Sequence, residues 1–170
     1  MKNLSLILCA VFLMCVISCK DACDGIICND GVCIDGTCLC DDGYEGTLCD
    51  VETRSKYYGS WSGVLSGCTV QTAIGPYDVP EFPVTLEISS STDGIQTVDV
   101  VFGQDNTTAT IDGDNFTLNP VGQSFDAGGF EINLIFSGRG TLTTETQLDM
   151  DLDIDVMGTV STCPMTFTKG

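Results

Sequence analysis

The eleven cysteines of this chain constrain its fold more than any other feature. Two lie in an apolar leader at the N-terminus, and Cys19 follows that leader directly. Six more lie between Cys23 and Cys49, and the last two, Cys68 and Cys163, stand far apart. Disulfides persist in oxidising compartments, and a short segment that is dense in cysteine needs them to fold. The distribution therefore predicts an exported protein with a small disulfide-rich module and one further disulfide in a larger domain.

Residues 1–18 have the organisation of a secretory signal. A positive charge at Lys2 precedes an apolar run, and the segment ends on the small residue Ser18. The run is shorter than the stretch of about 20 residues that a membrane-spanning helix needs. We therefore expect residues 1–18 to be a signal peptide that is removed on export.

The residues before Cys19 resemble the lipobox of bacterial lipoproteins, which has an aliphatic residue three places before the cysteine and a small residue directly before it. Here the cysteine is preceded by Val16, Ile17 and Ser18, so Val16 is the aliphatic residue and Ser18 the small one. The resemblance implies that Cys19 becomes the mature N-terminus and carries acyl chains such as palmitate, and that residues 19–21 form a lipidated tether. Two or more acyl chains give stable anchoring. An ordinary signal peptide with a coincidental cysteine is the alternative.

The residues after Cys19 resemble the tether that directs lipoproteins of the Bacteroides and Flavobacterium group to the cell surface. Lys20 is followed by Asp21, and Asp24 lies close behind. In enteric lipoproteins, an Asp directly after the cysteine marks retention in the inner membrane. Lys20 occupies that position here, so this mark is absent. We expect an outer-membrane protein on the cell surface that contacts the membrane through its acyl chains.

The six cysteines from Cys23 to Cys49 follow the spacing C-x4-C-x4-C-x4-C-x-C-x8-C, with glycines at turn positions between them. Spacing alone leaves many pairings open. Zinc binding by the same thiols is the alternative. The chain has no histidine, and an export signal precedes the module, so disulfides are favoured and no metal is expected.

The end of this module resembles the terminal signature of an EGF-like domain. Tyr44 follows Gly43, and Gly46 stands three residues before Cys49, as in that family. The acidic and amide cluster of calcium-binding members is missing, so the resemblance implies no calcium site. A rigid spacer is favoured over a recognition module. The resemblance covers residues 22–50 and implies the pairs Cys23–Cys33, Cys28–Cys38 and Cys40–Cys49.

After a short polar linker at residues 51–56, residues 57–170 alternate between apolar and polar side chains in short runs. Val84, Leu86 and Ile88 form one such run. Alternation with a period of two is typical of strands that are buried on one face, and Asp-Gly and Gly-Gly pairs mark turns between the runs. We predict an all-β domain of about eight to ten strands, which forms either an antiparallel β-barrel or a β-sandwich.

Two features favour the barrel, and one opposes it. Gly59-Ser60-Trp61 resembles the start of lipocalin-like proteins, in which the tryptophan closes one end of the barrel; the arginine that covers it in that family is absent, and only Lys169 is near. A bond between Cys68 and Cys163 requires the two ends of the sheet to lie together. Pro164 opposes closure because it has no amide donor and belongs on an edge or at a bulge.

The formal net charge of -18 limits the partners of this chain. Nucleic acid binding requires the neutralisation of phosphates by Lys and Arg, so it is excluded, as is direct adhesion to anionic lipid. The sharpest acidic feature is a row that alternation places on one face of one strand, at intervals of about 7 Å. A solvated face is favoured over a cation or ligand site, because carboxylates in a straight row diverge. The row consists of Asp149, Asp151, Asp153 and Asp155.

The sequence favours a non-catalytic protein without a cofactor. It has no histidine to act as general base, and the mature cysteines are assigned to lipid or disulfides. A carboxylate pair could hydrolyse a glycosidic bond, but a chain with 24 acidic residues contains such pairs by accident.

Two non-catalytic hypotheses differ in where the ligand binds. In the first, the β domain is a lipocalin-like carrier of a small apolar ligand, with Trp61 at its floor. In the second, a solid domain binds a protein, a glycan or an envelope partner through its outer face. Small barrels can fill their own interior, so the second is preferred from sequence alone. The chain as a whole resembles short lipoproteins of the Bacteroidota that join an EGF-like module to a small β-barrel.

Overall fold

The computed structural model describes residues 22–72, 75–126 and 131–170. The signal peptide, the lipobox and Cys19 therefore lie outside the described residues. The chain divides into two compact units, one that extends to Asp41 and includes residues 46–50, and another formed by residues 42–45 and 51–170. Within the described ranges, no helix has the length and apolar character needed to cross a membrane.

The first unit is built on a β-hairpin and on disulfides. Strands β1 (Gly31–Ile34) and β2 (Thr37–Cys40) pair antiparallel. Asp35 and Gly36 connect them with φ angles of 49° and 83°, the left-handed conformation that a tight two-residue hairpin turn requires. The pairs that the EGF-like resemblance implies are bonded, with Cα–Cα distances of 5.9, 5.6 and 5.2 Å: Cys23–Cys33, Cys28–Cys38 and Cys40–Cys49.

The second unit begins with short structured segments. Strands β3 (Tyr44–Glu45) and β4 (Val51–Glu52) pair with each other, and a 3-10 helix follows at Thr53–Tyr57. Residues 51–56, which we expected to be a linker, thus form β4 and most of this helix. We interpreted the segment as a linker because its composition is polar. In the structure, however, the 3-10 helix has three buried residues, Thr53, Arg54 and Tyr57.

Among the described residues, eight strands close into an antiparallel barrel in the order β10-β11-β12-β13-β14-β5-β8-β9. Consecutive barrel strands pair with each other, and the last strand, β14, pairs with the first, β5. A separate hairpin, β6–β7, stands between β5 and β8 in the chain. The predicted all-β fold is confirmed, and the sandwich alternative is wrong. The strands of this unit are β5 (Gly59–Leu65), β6 (Thr69–Thr72), β7 (Gly75–Asp78), β8 (Phe82–Ser90), β9 (Thr97–Phe102), β10 (Asp105–Asp112), β11 (Asn115–Asp126), β12 (Glu131–Thr144), β13 (Gln147–Val156) and β14 (Thr159–Lys169).

The alternation in the sequence separates the interior of the barrel from its surface. In β13, for example, Leu148, Met150, Leu152 and Ile154 are at most 3% exposed, whereas the residues between them face outward. The same pattern in the other strands fills the interior with aliphatic and aromatic side chains. Burial of these side chains is the main stabilising contribution to the domain.

The barrel closes along a short seam between β14 and β5. Only three cross-strand pairs form it, from Phe167 opposite Gly63 to Lys169 opposite Trp61. A Cβ atom on Gly63 would lie 2.8 Å from a carbonyl oxygen of β14, so glycine permits this close approach. Pro164 lies beyond the seam and pairs with β13. The proline is therefore compatible with closure, because β5 does not extend along β14 to that point.

The hairpin β6–β7 is attached to the inner wall of the barrel by the Cys68–Cys163 disulfide. Both cysteines are buried, and their Cα atoms are 5.4 Å apart. The amide of Gln71 donates a hydrogen bond of 2.9 Å to the hydroxyl of Ser161, another inward residue of β14. The disulfide thus holds the hairpin against the N-terminal part of β14, which is not paired with β5.

Replacing both Cys68 and Cys163 by Ala removes this cross-link and leaves small apolar side chains in its place. On the loop-entropy account, a bridge between residues 95 apart stabilises the fold by about 4 to 5 kcal/mol. We expect urea unfolding to show most of this loss as a lower midpoint. Intact mass must show that the disulfides of the first unit are retained. A midpoint equal to that of the parent protein would contradict the stabilising role.

Candidate functional site

The two ends of the barrel differ in chemistry. We call the end that receives the 3-10 helix the helix end, and the end that carries β6–β7 the hairpin end. At the helix end, the buried indole of Trp61 donates a hydrogen bond of 2.7 Å to the carbonyl of Tyr57. The ring of Tyr57 packs on Phe116 with centroids 5.7 Å apart. The ammonium group of Lys169 lies 5.4 Å from the centre of the Trp61 ring and donates to the carbonyl of Lys56.

Arg54 fixes the helix to the barrel. Its guanidinium group is nearly buried and donates hydrogen bonds of 2.7 to 2.9 Å to three backbone carbonyls. Ser91 and Gly94 lie in the loop between β8 and β9, and Thr97 is the first residue of β9. Arg54 also donates to the carboxylate of Glu52 at 3.0 Å. The planar fork of Arg can satisfy several acceptors at once. One side chain thus connects the helix to this corner of the barrel.

The Arg54 hydrogen bond lowers the pKa of Glu52 below its usual value. A carboxyl group whose folded pKa is depressed stabilises the fold above its unfolded pKa, and this contribution is lost as the pH falls through the folded value. The Glu52 side chain is 39% exposed, so solvent screens the effect. This contribution of the Glu52–Arg54 pair is therefore lost in acid.

Lys56, the other basic residue of the 3-10 helix, forms ion pairs with two carboxylates. Lys56 donates to Asp114 at 2.6 Å and to Glu45 at 3.3 Å. Burial alone would lower the pKa of Lys56, but these two hydrogen bonds together outweigh it, and the pKa is raised. Burial also raises the pKa of Tyr57, so its phenol stays neutral. The helix end is consequently closed, and its Arg54 and Lys56 side chains are paired with carboxylates.

A cavity of about 320 Å³ lies at the hairpin end. Its walls come from β12 and β13 on one side and from the hairpin and the segment that follows it on the other. Among the described residues, no charged side chain lines it, and the polar side chains that line it are those of Thr72 and Tyr77. Thr72 donates to the carbonyl of Gly75 at 2.7 Å, and Tyr77 is 55% exposed. The lining residues are Val70, Thr72, Tyr77, Val79, Phe82, Leu134, Phe136, Ile154 and Val156.

The chemistry of this cavity selects an apolar occupant. Its lining side chains offer dispersion contacts and almost no partner for a polar group, and an unpaired polar group buried there would be costly. The volume lies at the lower end of the range found for small-molecule sites. The cavity can therefore accept a small or slender apolar molecule.

The acidic row of β13 lies on the outer surface, where its carboxylates do not converge. Asp149 accepts hydrogen bonds from Thr166 and from Gln147, which lower its pKa. Asp153 accepts from Thr162, and Asp155 accepts from the amide of Gly158. Asp151 is placed opposite Arg139 in the register of β12 and β13.

This arrangement gives each carboxylate its own neighbours, as a solvated face requires. Within the described ranges, no three His, Cys, Asp or Glu residues come together in a way that would hold a metal ion. A broad open groove of about 1080 Å³ crosses the outer faces of β11 to β14 and includes Asp149, Asp151 and Arg139. Charged and polar side chains contribute to its lining, in contrast to the apolar lining of the cavity.

Sequence reasoning placed Trp61 at one end of the barrel but missed Arg54 and the cavity. Arg54 carries no motif, and its acceptors are backbone carbonyls about 40 residues away. Its only signal was that the chain has few basic residues, one of which lies shortly before the first barrel strand. The cavity is formed partly by Val70 and Tyr77, which lie in a short segment without the alternation of a barrel strand.

Comparisons with known proteins found a similarity to one protein family and to a solved structure. A family model of a teneurin-like EGF domain matches residues 19–52, so the N-terminal module is EGF-like. Among solved structures, a redesigned β-barrel aligns with 69% of this chain and 95% of its own, at 17% sequence identity and a TM-score of 0.40. No curated protein matches the chain. The molecule thus joins an EGF-like domain to a closed eight-stranded barrel.

Replacing Arg54 by Met tests the construction of the helix end. The substitution removes the guanidinium donor from the carbonyls of Ser91 and Thr97 and leaves that of Gly94 with the amide of Thr97 alone. Each buried group that becomes unsatisfied costs about 1 to 3 kcal/mol. We expect a loss of about 3 to 5 kcal/mol in the free energy of unfolding, measured with urea. The matched control is Arg139→Met, which removes the same charge from the exposed face of β12 and should change stability by less than about 0.5 kcal/mol. Equal effects of the two substitutions would refute the role of Arg54.

Proposed function

We propose that this chain is an exported, lipid-anchored and non-catalytic binding protein of the outer membrane, displayed on the cell surface. Acylation of Cys19 provides the membrane contact, the EGF-like module is the spacer, and the barrel carries the ligand site. The apolar leader, the lipobox resemblance and the disulfide-rich module all support export. The chain has no histidine, which supports a role without catalysis.

Within this class, the geometry best supports a carrier of a small apolar ligand, and the cavity at the hairpin end is the observation that favours it. Sequence alone favoured the outer face, because an eight-stranded barrel can fill its own interior. This barrel fills its helix end with Trp61, Tyr57 and Phe116 but leaves about 320 Å³ of apolar space at the other end. A space without polar partners holds water poorly, so an apolar ligand would replace no favourable hydration.

The outer groove supports a second candidate. Its carboxylates and Arg139 offer both hydrogen-bond acceptors and donors on a curved surface, which suits a protein or a glycan. This candidate becomes the leading one if the cavity binds nothing.

The lipid anchor is tested by expressing the full chain in a Gram-negative host with lipoprotein export. We expect the mature protein to begin at Cys19, to carry the mass of its acyl chains, and to fractionate with membranes, whereas a Cys19→Ala variant does not. Protease treatment of intact cells should then remove the protein. An unmodified N-terminus would refute the anchor, and complete protection from protease would refute surface display.

The cavity is tested with two neighbouring substitutions on β12. Leu134 lines the cavity, whereas Ile135 faces outward and is 45% exposed. A neutral naphthylamine fluorophore should bind the parent protein and the Ile135→Trp variant with similar affinity. Leu134→Trp should abolish binding, because the indole fills the apolar space. Native mass spectrometry of protein from its own membrane should show a retained small molecule.

The comparison is valid only if both variants keep their disulfides and unfold cooperatively. Absence of fluorophore binding to the parent protein, together with a bare native mass, would refute the carrier hypothesis. Loss of binding in both variants would show that the fluorophore binds elsewhere.

A further inference from the structure

The hairpin of the EGF-like module has two faces of different chemistry. Alternation turns Cys33 and Cys40 into the module, where they form disulfides. It turns Val32, Ile34 and Leu39 to the opposite side, where they are 56%, 52% and 60% exposed. Val32 stands directly opposite Leu39 in the register, and Ile34 lies two residues further along the same strand. These three aliphatic side chains form one exposed apolar face, which we call the hairpin face.

No other part of the described module covers this face. The segment that ends at Cys49 lies on the cysteine side of the hairpin, since a Cβ atom on Gly31 would stand 2.9 Å from the sulfur of Cys49. The disulfides hold the module together, so the hairpin face has no role in a core. Contiguous exposed aliphatic side chains of this kind mark a surface that contacts something else.

The N-terminal end of the module lies beside the tip of the same hairpin. A Cβ atom on Gly36, in the turn, would stand 3.3 Å from the carbonyl oxygen of Ala22. Two residues separate Ala22 from Cys19. An extended chain spans at most about 3.6 Å per residue, so Ala22 can be no more than about 11 Å from the Cα atom of Cys19. The length of this segment therefore limits how far an anchor on Cys19 can lie from the hairpin tip.

We propose that the hairpin face, Val32, Ile34 and Leu39, rests on the surface of the lipid bilayer that holds the anchor. The inference depends on the proposed acylation of Cys19, because the short tether then brings the face to the membrane. The module lies on the bilayer, with its aliphatic side chains among the headgroups and the upper acyl chains. This contact limits the orientation of the module relative to the plane of the membrane.

The charge of the module selects the kind of bilayer. Residues 22–50 contain no Lys or Arg, and Asp35 is exposed in the turn of the hairpin. Acidic side chains are repelled by the negative surface potential of anionic lipids. The hairpin face therefore contacts neutral or zwitterionic lipid, and anionic lipid weakens the contact.

The test uses the acylated full chain in phosphatidylcholine vesicles whose acyl chains are brominated, because bromine quenches indole fluorescence on contact. A Leu39→Trp variant places an indole on the hairpin face. The matched control is Thr47→Trp, which places one at an exposed position in the segment on the cysteine side. Trp61 is common to both, and its signal is measured in the parent protein. We expect loss of most of the added fluorescence in Leu39→Trp and little loss in Thr47→Trp.

Two further measurements make the result decisive. Adding phosphatidylglycerol to the vesicles should reduce the quenching of Leu39→Trp, and Val32→Ser with Ile34→Ser in the same chain should reduce it further. Intact mass confirms that each variant keeps its disulfides. Equal quenching of Leu39→Trp and Thr47→Trp would overturn the proposal, as would a spectral shift of Leu39→Trp that depends on protein concentration and not on lipid, because a second copy would then cover the face.

Failure of the anchor and failure of the docking are separable. A protein that carries no acyl chain and does not float with vesicles refutes the proposed function, and the docking with it. A protein that is acylated and floats, but whose hairpin face is not quenched, refutes the docking alone.

Discussion

The short seam between β14 and β5 is the contact on which the rest of the larger unit depends. Three residue pairs close the sheet. Because the sheet is closed, the apolar side chains on one face of each strand share one interior, and the polar side chains on the other face form the outer surface. The seam ends on Lys169 opposite Trp61, so the same pairing that closes the barrel brings the ammonium group over the indole at the helix end. Gly63 makes the approach possible because a side chain there would collide with the backbone of β14.

The brevity of the seam also explains why the two ends of the barrel differ. At the helix end, β5 and β14 are paired, and Arg54 donates to three backbone carbonyls between the end of β8 and the start of β9. Toward the hairpin end, β5 leaves β14, and the hairpin takes its place, held by the disulfide to Cys163 and by the hydrogen bond to Ser161. The apolar cavity lies between the hairpin, with the segment that follows it, and residues of β12 and β13.

Features of the sequence that are local in the chain predicted the structure well, and features that depend on distant partners did not. Alternation such as that of β13 gave the strands and their buried faces, and the closed barrel is confirmed. Pro164 was read as evidence against closure, because the rule for proline in sheets assumes that a strand is paired along its whole length. The role of Arg54 could not be read at all, since backbone carbonyls of a remote loop leave no trace in residue identity.

The two units stabilise themselves by different means, and this decides where each can offer an apolar contact. The barrel gains its stability from burial, so its aliphatic side chains are committed to the interior and any apolar site must be a gap in that packing. The EGF-like module is held by covalent bonds, which constrain the chain without using apolar surface. Its aliphatic residues are consequently free to face outward, as Val32 and Leu39 do. An apolar side chain that is not needed for folding and is exposed on a regular strand is most simply explained by a contact outside the module.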